Sequence, residues 1–108
     1  MKDIDKIAHK MAEAGNDWSD KESAASILEE TRRAVRSEIM VEYIQKGESA
    51  AASEAKAEAD QRYKDHVTAM CEARRVANRA KVRWIVAQQY SKLVQTAEAS
   101  KRAEMTMR

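Results

Sequence analysis

The sequence predicts an all-α protein: an antiparallel helical hairpin with one very long C-terminal helix, coiled-coil-like and oligomeric. Three observations predict it. The chain has no Pro and only two Gly, and 35% of its residues are charged, which is the composition of long helices. From Ala50 to Met107 there is neither Gly nor Pro nor a cluster of turn residues. The link ahead of that stretch, residues 47–49, is very short, and short helix–helix links make antiparallel neighbours. The 108 residues are expected to form a single helical domain with helices at about 3–14, 20–46 and 50–107.

The first helix places Ile4, Ile7, Ala8 and Met11 on one face, the i, i+3, i+4, i+7 pattern. Asp3 and Asp5 suit the positive end of its dipole. Gly15 is expected to end it, with residues 16–18 as the turn. Ser19 and Glu22 read as a capping box for the second helix. Leu28, Val35 and Ile39 form its main stripe, widened by Ile27, Met40, Tyr43 and Ile44. Lys46 and Gly47 are a favourable stop, and Ser49 is placed to cap the third helix. Residues 50–76 should fold back along residues 20–46, with Ala52, Ala55 and Ala59, then Tyr63, Val67 and Met70, facing the partner.

That leaves residues 77–108 without a partner in the chain. Val82, Trp84, Ile85, Val86, Tyr90, Leu93 and Val94 belong to the most apolar stretch, and a helix apolar around much of its circumference is normally buried. A first helix of twelve residues is too short to cover them. The expectation is self-association through these seven residues, most simply as a parallel or antiparallel dimer. A break at Gln88–Gln89 would instead permit a compact monomer, although Gln is a good helix former.

Signals for chemistry are nearly absent, and the expectation is a protein that is not an enzyme and uses no cofactor or metal. His9 and His66 have no second His or Cys at ligand spacing. Both glycines read as helix stops, so there is no phosphate loop. Cys71 is the only cysteine. No internal disulfide can form, and the thiol fits a reduced, cytoplasmic setting. The polar start at Met1–Asp5 is unlike a signal peptide. No apolar run reaches the length of a membrane span.

Charge is the one feature that points to a partner. Residues 1–60 carry 9 Lys+Arg against 14 Asp+Glu, a net of −5, whereas residues 61–108 carry 11 against 4, a net of +7. Arg75, Arg79 and Arg83 are four apart and form a ridge, with Arg74 and Lys81 on another side. Such a ridge suits DNA phosphates or an acidic partner, and Trp84 and Tyr90 could stack on bases. The alternative is structural: the arginines pair with Glu29, Glu30, Glu38 and Glu42 of the neighbouring helix, and Trp84 is a core residue.

The run from Glu72 to Trp84, together with Ala97 to Met105 and the earlier segments Gly47–Ala50, residues 57–60 and Tyr63–Lys64, resembles small helical proteins of tailed bacteriophages. The resemblance covers about two thirds of the chain and rests on helix-forming residues. It implies a bacterial host cytoplasm and a setting near phage recombination or early genes. It transfers no catalytic residue. Two readings follow: an oligomeric accessory protein that binds a partner, and a DNA-binding accessory factor that uses Arg74, Arg75, Arg79, Lys81 and Arg83.

Overall fold

The computed structural model describes residues 2–107 and contains only helices among them: α1 (Lys2–Gln45), α2 (Ala50–Ala59) and α3 (Gln61–Met107). The first two expected helices are therefore one. Gly15 does not stop α1, and its backbone is not left-handed. The missing side chain serves packing instead. A Cβ on Gly15 would lie 3.0 Å from Nε1 and 3.2 Å from Cδ1 of Trp84, so the indole rests on bare backbone. Residues 16–18 stay helical, and Ser19 is an interior residue rather than a cap.

Gly47 does end α1. Its φ of +97° is open to glycine at no steric cost. The Gly47 N–H donates to the Ile44 carbonyl at 3.0 Å and the Glu48 N–H to the Tyr43 carbonyl at 3.2 Å, the paired bonds of a Schellman ending. Ser49 Oγ accepts the Ala52 N–H at 3.2 Å and caps α2.

The expected helix over 50–107 is interrupted at Asp60, which leaves helical geometry at φ −67°, ψ 137°. Asp60 ends one helix and starts the next. Its N–H donates to the Ala57 carbonyl at 3.2 Å, and its own carbonyl accepts from Tyr63 and Lys64 at 3.1 Å each. Its Oδ1 accepts the Arg62 N–H at 2.9 Å, which is capping by aspartate. Beyond this point α3 runs through Gln88–Gln89 without a break.

The chain divides into two units. The linker unit is Lys21–Ala77. Here Glu42 meets Arg62, Leu28 meets His66, and Glu22 meets Arg74, so numbers fall on one side as they rise on the other. Ala25, Ile39, Ser53, Ala57 and Ala77 are buried. The small inward residues of α2 are thus Ser53 and Ala57, while the expected Ala55 and Ala59 are exposed. Inward residues of α3 step by three and four: Tyr63, His66, Met70, Ala73, Ala77.

The terminal unit joins the residues up to Asp20 with those from Asn78 on. Residues 78–107 do have a partner, contrary to expectation. Because α1 continues through Gly15, its first 19 described residues, not twelve, are available. Trp18 stacks on Trp84 with ring centroids 4.9 Å apart and planes at 28°. Ala80 and Ser91 are buried. Ala87 and Val94 are half-buried, as are Ile7, Met11 and Ala14 of α1. The inward steps on α3 are again three and four: Ala80, Trp84, Ala87, Ser91, Val94.

Candidate interaction surface

The basic ridge is not one surface. Arg74 is committed within the linker unit. Its Nη1 donates to Glu22 at 2.6 Å and its Nε to Glu29 at 2.7 Å. These bonds, that to Glu22 first, raise its pKa. Arg75 donates twice to Glu72, three residues earlier on the same helix, at 2.8 Å each, and this raises its pKa. Lys81 lies over the Trp18 ring, 5.8 Å from its centroid, as a cation–π contact. Arg79 and Arg83 have no hydrogen-bond or ion-pair partner among the described residues. Of the four glutamates considered for the ridge, Glu29 takes Arg74 and Glu42 takes Arg62. Glu30 and Glu38 are exposed and likewise unpaired among the described residues.

The apolar stretch is also divided. Trp84 and Val94 face the chain's own N-terminal residues. Val82, Val86, Tyr90 and Leu93 stay largely in water, at 59%, 56%, 57% and 69% exposed, and Ile85 is at the edge of the same face. Their spacing of four, four and three sets them on one side of α3, opposite the buried Ala80 and Ser91. Arg79 and Arg83 are four apart and share that side with them. A helix face of this size with large apolar groups in water marks an interaction surface.

One edge of the face forms a groove of about 510 Å³ against α1, where Asp3, Lys6, Ile7 and Lys10 meet Arg83, Val86 and Tyr90. Lys6 and Lys10 escaped the reading of the sequence because they are distant in it. Their i, i+4 spacing was the available signal. A second set was also missed. Ile27, expected in the inward stripe of the second helix, and Val41 are 60% and 51% exposed, and their 14-residue separation places them on one line with Ala34.

A third cluster is structural. Where α1 meets the Asp60 break, Arg62 forms a bidentate pair with Glu42 at 3.0 and 2.6 Å and a bond to Asp60 at 3.0 Å. The Tyr43 hydroxyl donates to Asp60 Oδ2 at 3.0 Å. Arg62 is the main reason that the Asp60 and Glu42 carboxyls sit below the usual range. The bond to Asp60 raises the Tyr43 hydroxyl. His66 Nε2 lies 2.8 Å from the Leu28 carbonyl. The carbonyl can only accept, so this nitrogen carries the proton and the ring ties α3 to α1.

Among the described residues no group of three or more His, Cys, Asp or Glu could hold a metal ion. Cys71 is an exposed free thiol. No helix is long and apolar enough to cross a membrane. No protein-family model matches the chain, and no curated protein or solved structure is significantly similar to it.

Proposed function

We propose that the protein is a non-enzymatic accessory protein that self-associates and works by binding a partner, built as an antiparallel coiled-coil hairpin. The observation that carries this reading is the exposed line Val82, Val86, Tyr90 and Leu93. Four large apolar side chains in a row on one helix gain roughly 1.5–3 kcal/mol each on full burial, which is ample for association. The three–four steps of inward residues support the coiled-coil geometry. Light scattering after size exclusion should give at least two copies of the 12.2 kDa chain. Leu93→Asp should return it to one copy with its helical circular dichroism intact. A wild-type protein of one copy at tens of micromolar would remove the reading.

A DNA-binding role is the second reading, favoured by one observation: Arg79 and Arg83 have no ion-pair partner among the described residues, and Arg83 shares a groove with Lys6, Lys10, Asp3 and the exposed Tyr90. Cations around a stacking platform suit a single strand. The resemblance to phage proteins makes a DNA-metabolism partner in a bacterial cytoplasm the first class to test. Fluorescence anisotropy with labelled single- and double-stranded DNA should show affinity that falls steeply with salt. It should be lost in Arg79→Ala/Arg83→Ala and kept in Arg74→Ala. Absence of binding at low salt would reject it.

A further inference from the structure

We infer that copies of this chain join through unlike faces: the outward face of α3 in one copy seats on the outward face of α1 in the next. This rests on the reading that the protein self-associates and says which surfaces meet.

The α3 face cannot comfortably meet itself. Between Glu72 and Glu98 the sequence holds six cations and not one acid. Pairing two such faces sets Arg79 and Arg83 among the cations of the other copy, and like charges in an apposed interface are costly. What this face needs is an apolar line flanked by carboxylates.

The linker unit carries that complement. On α1, Ile27, Ala34 and Val41 are seven apart and therefore share one line. Ile27 and Val41 are among the most exposed apolar residues of α1, and Ala34 is exposed too. Glu30 and Glu38 lie beside that line, exposed and unpaired among the described residues. Arg32 and Arg33 line a hollow together with Glu29, Glu30 and Met70 of α3, and Arg36, the cation nearest Glu38 in sequence, is paired with Glu58. The α1 line is long enough to seat the α3 line: Ile27 to Val41 spans about 21 Å and Val82 to Leu93 about 17 Å at 1.5 Å per residue.

A contact between unlike faces either closes reciprocally in a two-fold dimer or continues to a ring or a longer row of copies. Salt should weaken it, because its charges lie at an exposed rim.

The test is a mixing experiment in light scattering. One variant, Val86→Asp/Leu93→Asp, spoils only the α3 face. The other, Ile27→Asp/Val41→Asp, spoils only the α1 face. All four positions are exposed, so helical circular dichroism should stay at the wild-type level. Each variant alone should be a single copy, and an equal mixture should give a complex of one copy of each. If Ile27→Asp/Val41→Asp still assembles like the wild type, α3 pairs with α3 and the inference is overturned, while self-association stands. If the wild type is itself a single copy, self-association fails and the inference falls with it.

Charge reversal gives an independent check. Glu30→Arg/Glu38→Arg and Arg79→Glu/Arg83→Glu should each weaken assembly by at least about tenfold. All four changes in one chain should restore it. Failure to recover in that variant, with helicity intact, would also overturn the pairing.

Discussion

The linker unit and the terminal unit are made from portions of the same two long helices, α1 and α3, yet they are held by different forces. In the linker unit the helices are laced by charge. Arg36 meets Glu58 at 3.0 Å, Arg62 meets Glu42 and Asp60, and Arg74 meets Glu22 and Glu29. The buried side chains between them are mostly Ala and Ser. In the terminal unit the centre is an aromatic stack, Trp18 on Trp84, seated over Gly15. The difference shows where the positive excess is used up. Arg74 is consumed by glutamates of α1, whereas Arg79 and Arg83 are left facing water beside Val82, Val86, Tyr90 and Leu93. A helix whose cations are already paired is a structural element; one whose cations and apolar groups stay free is available to something else.

The sharpest way to separate the units is to remove the aromatic stack. Trp84→Ala should cost about 3 kcal/mol, the range for deleting a large aromatic from a packed site. Urea unfolding followed by circular dichroism measures the loss. A cost below 1 kcal/mol would mean that the stack is not the centre of the terminal unit. Trp18 and Trp84 are the only tryptophans, so fluorescence reports the terminal unit alone, and a gap between fluorescence and dichroism curves would show the units unfolding apart.

Gly15→Ala comes next. In an ordinary helix interior this change gains up to about 1 kcal/mol. Here the new methyl would stand 3.0 Å from the Trp84 indole, so a loss of about 1–2 kcal/mol is expected. A gain would show that the indole shifts freely.

In the linker unit the informative change is smaller and of opposite sign. Ser53 is fully buried, and its hydroxyl has no hydrogen-bond partner among the described residues. Ser53→Ala removes an unpaired polar atom and should stabilise by about 1 kcal/mol. Thermal unfolding would reveal it as a rise in Tm, and a fall would mean that the hydroxyl is satisfied in solution.

The smallest effect concerns pH. The Glu42 and Asp60 carboxyls are held below their ordinary values, chiefly by Arg62. A depressed carboxyl contributes stability that is complete above its unfolded pKa and lost as pH falls through the folded one. Helical signal at a fixed urea concentration should therefore decline below about pH 4. Glu42→Gln/Asp60→Asn should flatten that decline. An unchanged acid limb would place the sensitivity elsewhere.

Much of the fold was legible in the residues. The stop at Gly47 and the cap at Ser49 were readable because each is a local device with a fixed residue preference. Two of the misread features have a common cause. Gly15 looks like a stop because glycine is permissive, but the indole that needs its bare backbone comes from a residue 69 positions later. Asp60 looks like an interior helix residue because its neighbours are good helix formers. Its role as a break depends on Tyr43, and on Arg62 bridging it to Glu42 across the helix pair. Of the candidate site, the exposed apolar residues of α3 were found from hydropathy. Lys6, Lys10 and Val41 were not, and Ile27 was read as inward, since nothing local distinguishes an outward residue from an inward one on a charged helix.

By itself, then, the sequence determined that the chain is helical, where one tight turn falls, and that its positive charge and its largest apolar side chains lie together beyond Arg74. Those follow from composition and short-range spacing. Only the tertiary structure decided which of those groups are spent within the chain. Pairing depends on which residues of distant helices come opposite one another, and that register is set by long-range packing of Trp84 on Gly15 and of Arg74 between Glu22 and Glu29.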